Sequence, residues 1–207
     1  MRLEEAANGA EIPLEPETPA PTPHPDTNAR FRRLSRYDAQ IYCDHLLRLS
    51  PDDRHMRFLG SVRDDAIRRH CATRDWSKAI VIGAFIDDTL RGVGEMVRME
   101  TAAEPSGEVA LSVEADFQNS GVGTELLRRV LVAARNRYVE RLHMYCLSEN
   151  RKMRRIASRF EAELEFQQSE IEGRIWPPWP TYASVMEEAV GESIAFFNAV
   201  FHTKTAG

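Results

Sequence analysis

Near residue 115 the side-chain period of this chain passes from a run of strands to a helix, and that change limits the folds open to it. From residue 79 to residue 114 the pattern is that of strands: the apolar run 79–85, the polar Asp87-Asp88-Thr89, the stretch 90–99, and then 107–114. In the last of these, Val109, Leu111 and Val113 alternate with Glu108, Ala110 and Ser112, the spacing of a strand with two unlike faces. Three strands joined by short polar connections predict an antiparallel meander. Across residues 121–138 the period becomes helical, with Val122, Leu126, Leu127, Val130, Leu131 and Ala134 on one stripe and Glu125, Arg128, Arg129 and Arg135 on the other. The short apolar run 142–147 reads as a buried strand, and a helix between two strands implies a parallel crossover. The expected fold class is therefore α/β (α+β): a mixed, mostly antiparallel sheet with one parallel pair and helices on both faces.

The flanking segments complete this frame. Residues 31–34 read as a short strand, and Ser35 with Asp38 three positions on forms a capping box for a helix carrying Ile41, Tyr42, Leu46 and Leu49. That helix is expected to stop at Ser50-Pro51, because proline disfavours helical geometry in the residue before it. A second helical pattern holds Val62, Ala66, Ile67, His70 and Cys71. Beyond the crossover, residues 150–160 predict an amphipathic helix packing through Met153, Ile156, Ala157 and Phe160, and two strands, 164–168 and 171–176, run to the prolines at 177, 178 and 180. A last helix from about Ser184 carries Phe196, Phe197, Val200 and Phe201. Such an apolar terminus is expected to bury against the domain or against a second copy, as a homodimer.

Charge divides the 207 residues unevenly. The 27 Lys and Arg against 32 Asp and Glu leave only a small net charge of −5, but residues 1–30 hold Arg2 and Arg30 against Glu4, Glu5, Glu11, Glu15, Glu17 and Asp26, together with six of the eleven prolines. Residues 1–29 thus read as a disordered acidic tail, 30–180 as the folded domain, and 181–207 as a C-terminal helix. Residues 128–159 carry ten Lys or Arg against Glu140 and Glu149, whereas 160–207 carry eight Glu against Arg174 and Lys204. A local basic stretch beside a local acidic one points to a dedicated anion site and away from nucleic acid, whose binders show a basic surplus over the whole domain. No apolar run is long enough to span a membrane and no secretory signal opens the chain, so a cytoplasmic location is expected. Three widely spaced cysteines, Cys43, Cys71 and Cys146, give neither a disulfide framework nor a metal-ligand spacing.

The chemistry concentrates at residues 113–124, a strand followed by a glycine-rich turn that opens a helix. Gly121 and Gly123 allow close backbone approach to a ligand, and the unpaired amides at the positive end of the helix can hold phosphate. Taken alone, Gly-x-Gly serves a structural turn as readily as a binding loop. It is neither a dinucleotide fingerprint, since position 126 is Leu, nor a P-loop.

With the order of elements added, the chain resembles the GNAT (Gcn5-related) N-acetyltransferases over roughly residues 30–180. Their Gln/Arg-x-x-Gly-x-Gly/Ala signature is matched by Gln118, Gly121 and Gly123, and residues 49–58 look more loosely like the first-helix region of the bacterial protein lysine acetyltransferase-like subgroup. The resemblance implies acetyl-CoA as co-substrate in a gap where the fourth and fifth strands splay apart. It implies pantetheine pairing near Leu111 and Val113, pyrophosphate held by Gln118, Gly121, Val122, Gly123 and Thr124, and a pantetheine contact from Asn150. Acetyl would pass directly to a primary amine, a protein lysine or a small cationic amine, once a base has taken the amine's proton. Glu108 matches the subgroup's fourth-strand glutamate and is the first choice for that base, with Glu95 in reserve. Family members often place a tyrosine acid after the asparagine, but residues 151–163 contain none. That departure keeps open an alternative from another class, a catalytically inactive acyl-CoA sensor or scaffold.

Overall fold

The computed structural model describes residues 28–99, 104–177, 181, 185, 186, 188 and 189. The acidic tail up to residue 27 and nearly all of the expected C-terminal helix lie outside the described residues. Among the latter, Glu188 binds Asn136 Nδ2 at 2.8 Å and Arg137 Nη1 at 2.7 Å.

Among the described residues seven strands form one sheet in the order β1-β2-β3-β4-β5-β7-β6. They are β1 (Arg30–Leu34), β2 (Ala79–Ile86), β3 (Thr89–Met99), β4 (Ser106–Val113), β5 (Arg141–Leu147), β6 (Glu163–Gln167) and β7 (Glu170–Ile175). Every neighbouring pair is antiparallel except β4 and β5. That parallel pair is short. It runs from Ser106↔Arg141 to Val109↔Met144 and stops, although β4 continues to Val113 and β5 to Leu147. From Ala110 and Tyr145 onward the two strands part, and the gap between them is the feature on which the site is built.

The side-chain alternation of the strands separates two cores. On one face Val109, Leu142, Met144, Ile171 and Ile175 pack with Leu126, Leu127 and Val130 of α4 (Val122–Arg135) and Met153 and Ala157 of α5 (Arg151–Arg159). Helix α4 can lie this close because β3 has Gly94 beneath it. A Cβ there would come within 3.1 Å of Leu126 Cβ and 3.2 Å of Val130 Cγ2. On the other face Leu34, Val81 and Val93 pack with Tyr42, Leu46 and Leu49 around α1 (Ala39–Arg48) and Ile67 and Cys71 of α3 (Asp64–Ala72). The three cysteines are free and buried, as small apolar residues.

The capping box forms as the sequence predicts, Ser35 accepting from Tyr37 N and Asp38 accepting from Ser35 N, but it opens a single 3-10 turn that leads into α1. Pro51 ends one helix and begins another. Its fixed φ and missing N–H suit a first helical position, Ser50 caps Asp53 N at 3.1 Å, and residues Pro51–Phe58 form α2. The sequence reading gave the stop but not this new start, which places α2 against β4 and β5.

Candidate active site

The parted ends of β4 and β5 open a cleft of about 390 Å³. Its walls come from four directions: Ala110, Leu111, Ser112 and Val113 of β4; Tyr145 and Cys146 of β5; Asp53, Met56 and Arg57 of α2; and α5 with the loop before α4. Of the residues expected to hold a cofactor, Leu111, Val113, Gln118, Gly121, Gly123, Thr124 and Asn150 all line it. Val122 does not. Its side chain is buried in the core beneath α4, so only its backbone amide is available to a ligand.

The loop is built for close approach. Gly121 sits at φ 89°, in the left-handed region, directly before the first turn of α4, and this geometry aims the helix's unpaired amides at the cleft. Gln118 fixes the loop to its surroundings. Its amide donates to Val113 O and to Asp53 Oδ1, both at 2.8 Å, and its Oε1 accepts from Lys152. Asn150 caps α5 by accepting from Met153 N at 3.0 Å. This turns Arg151, Lys152, Arg155 and Arg159, all exposed, along the rim of the cleft.

The two glutamates considered as bases occupy different settings, and neither lines the cleft itself. Glu95 is buried on β3, where Arg57 and Arg74 each hold one carboxylate oxygen and the Tyr42 hydroxyl donates at 3.1 Å. A carboxylate so engaged is a fold-holding group. Glu108 is exposed on β4, two residues before Ala110, and forms no hydrogen bond or ion pair with another described residue. The Arg57 guanidinium and the Tyr145 phenol lie within its electrostatic reach.

A second polar cluster lies on that same face, and it is the meeting of its residues that sequence reasoning missed. His143 is the register partner of Glu108 across β4–β5, and its Nδ1 lies 2.7 Å from Glu172 Oε1 on β7. Arg174 donates to the other Glu172 oxygen at 2.9 Å, and the Tyr145 ring stacks on His143 with centroids 6.4 Å apart, opposite Glu172 in the β5–β7 register. The bond from Arg174, then that from His143, hold the Glu172 carboxyl below the usual carboxylate range, while burial and Glu172 push the Tyr145 phenol up. Alternation in 141–147 puts His143 and Tyr145 on one face, but their meeting with Glu172 requires the β5–β7 register, which no local pattern carries.

A third network ties α1 to the sheet. His45 is fully buried, with Nε2 2.9 Å from Ser112 Oγ and Nδ1 3.1 Å from Glu114 Oε1. Burial keeps His45 neutral by pulling its pKa down. Burial alone would raise Glu114, but bonds from His45, Arg91 and Arg48 pull it down to about 2. His70 is satisfied in a similar way, its Nε2 lying 3.2 Å from Tyr42 Oη.

Among the described residues no His, Cys, Asp and Glu cluster could hold a metal ion, and no helix is long and apolar enough to cross a membrane.

Comparison with known proteins gives one consistent result. Residues 28–163 match the family model of the acetyltransferase (GNAT) domain. An acetyltransferase of Pseudomonas aeruginosa is 28% identical over 128 residues, which cover 60% of this chain and 69% of that protein. Among solved structures, the GNAT domain of S. lividans PAT superposes with a TM-score of 0.61 at 20% identity, over 72% of this chain and 90% of that one. The PaiA N-acetyltransferase of Thermoplasma acidophilum, solved in complex with coenzyme A, gives 0.54 at 15% identity, over 72% and 98%. At such identities the structural likeness speaks for the fold.

Proposed function

Because the chain belongs to the GNAT acetyltransferase domain family, and is an N-acetyltransferase of that family, we propose that it uses acetyl-CoA and passes the acetyl group directly to a cationic primary amine. The observation that carries this reading is the division of charge across the parted strands. One rim of the cleft holds the loop amides before α4 and the cations Arg151, Lys152, Arg155 and Arg159, chemistry suited to the phosphates of CoA. The opposite face of β4, β5 and β7 presents Glu108 and Glu172, with Glu165 beyond them on β6, chemistry suited to an ammonium group.

In this reading pantetheine runs along the free backbone of β4 at Leu111 and Val113, which has lost its β5 partner. The pyrophosphate sits on Gly121, Val122, Gly123 and Thr124, with Gln118 and Lys152 beside it, and Asn150 meets the pantetheine arm. Glu108 receives the acceptor's ammonium and holds it at the start of the path, through water, by which its proton leaves. Attack needs the neutral amine, since only its lone pair can form the new C–N bond. In the same reading a β4 amide at the parting point donates to the developing oxyanion.

The test is product identification by mass spectrometry after incubation with acetyl-CoA and lysine peptides, polyamines or aminoglycosides. An N-acetylated amine from one of these classes supports the reading. Acetylation confined to neutral or anionic acceptors would overturn the electrostatic part of it.

A further inference from the structure

We propose that His143 and Glu172 form a second proton-accepting pair on the acceptor face: the His143 imidazole takes the proton that the ammonium must lose, and Glu172 is the positioning residue that holds the ring. The inference rests on the reading that a primary amine is acetylated from this face.

Position comes first. His143 lies beside Glu108 in the β4–β5 register, one pair before the strands part, so its side chain shares a face and a neighbourhood with the group that receives the ammonium. Tyr145, two residues on, lines the cleft and stacks on the His143 ring with an interplanar angle of 12°. One aromatic wall therefore runs from the cleft to the imidazole.

The tautomer follows from the partners. Glu172 accepts from Arg174 at 2.9 Å and forms an ion pair with it, so its carboxylate is ionised and only accepts. The 2.7 Å contact to His143 Nδ1 then requires the ring proton on Nδ1, which leaves the lone pair on Nε2. Nε2 has no hydrogen-bond partner among the described residues, yet it is not among the buried unpartnered atoms; it is open to solvent. A histidine oriented by a carboxylate through one nitrogen, with the other nitrogen free to take a proton, is the arrangement used for general-base work in acyl transfer. A purely structural tie between β5 and β7 would add little, because the backbone ladder from Leu142↔Ile175 to Leu147↔Glu170 already joins them.

The step balances. The ammonium gives one proton to His143 Nε2, directly or through a water, and becomes a neutral amine. Its lone pair forms the C–N bond to the thioester carbonyl carbon, the C–S bond breaks, and the sulfur leaves with the bonding electrons. The second nitrogen proton, lost as the amide forms, neutralises the CoA thiolate, and the imidazolium returns its proton to solvent. The charged and titratable groups facing the ring are Glu108 from β4, Tyr145 from its own strand, Glu172 and Arg174 from β7, and Glu165, which pairs with Arg174, from β6.

The experiment compares wild type, His143→Gln, His143→Ala, Glu172→Gln and Glu172→Asp in the full chain, using the best amine from the product screen. His143→Gln is expected to lower kcat/KM for the amine about a hundredfold with acetyl-CoA affinity unchanged. Added imidazole is expected to restore part of the His143→Ala rate. Glu172→Gln is expected to lower kcat about tenfold with acetyl-CoA affinity unchanged, and Glu172→Asp, which keeps the carboxylate on Nδ1, to recover part of that loss. An unchanged rate in His143→Gln, while wild type acetylates the amine, overturns the pair and leaves the acetyltransfer reading standing. Wild type that acetylates no amine overturns both.

Discussion

Arg57 of α2 and Glu95 of β3 are ion-paired beneath the cleft, and Arg74 closes on the other oxygen of the same carboxylate. The pair pins a helix that supplies Asp53 and Met56 to the cleft wall onto the strand next to β4. Removing one partner of a buried ion pair leaves uncompensated charge and costs about 3–5 kcal/mol. Glu95→Gln is therefore expected to lower the thermal midpoint sharply. If Glu95 were instead the base, the variant would keep its melting temperature and lose turnover.

Gly121 is predicted to be the least replaceable residue of the loop. Nothing lies within 4 Å of a Cβ built there, so the obstacle is the backbone, since φ 89° is a conformation other residues rarely adopt. Gly121→Val is expected to cost about 1–2 kcal/mol of local strain, and to weaken acetyl-CoA binding by at least about tenfold as the loop amides turn away. Calorimetric titration of both proteins reads this directly; equal affinities would remove the loop from the phosphate site.

Glu108→Gln keeps the shape of an exposed strand residue and removes its charge. Turnover with a cationic amine should fall about tenfold or more while acetyl-CoA affinity stays as it was, because Glu108 does not line the cleft. Initial rates at saturating acetyl-CoA, set beside a titration, separate the two effects. A variant with full turnover would leave no proton-handling role for Glu108.

Acid should loosen the helical layer over β3 and β4 first. The Glu114 carboxyl lies at about 2 against an ordinary 4.5. Its folded pKa is depressed, so its stabilisation is complete above pH 4.5 and is lost as pH falls from there toward 2. The shift corresponds to about 3 kcal/mol. His45, buried neutral on the same carboxylate, must take up a proton when the protein unfolds in acid, which acts in the same direction. Denaturant titrations between pH 6 and pH 3 should show wild type losing stability faster than Glu114→Gln. Parallel curves would contradict this account.

Local patterns carried most of the fold. The meander, the crossover and the helix boundaries near Gly121 and Asn150 were legible because alternation, helical stripes and caps are written within a few residues. Two features were not. Helix α2 begins at the proline that ends the sequence signal for α1, so one residue has two meanings that only tertiary placement separates. The His143–Glu172–Tyr145 cluster joins residues up to 29 positions apart, and the β5–β7 register that aligns them is a property of the assembled sheet. The candidate loop was legible for a related reason: its glycines and the amphipathic helix after them are contiguous.

Acceptor-dependent release of CoA thiol is the measurement that bears most directly on the central claim. The protein is first titrated calorimetrically with acetyl-CoA, and cationic amines are then added to the same sample while free thiol is followed. The account predicts binding, followed by thiol release that requires the amine. Binding with no release from any cationic amine would contradict direct acetyl transfer and leave an acyl-CoA-binding module, and no binding at all would show that the parted strands do not hold acetyl-CoA.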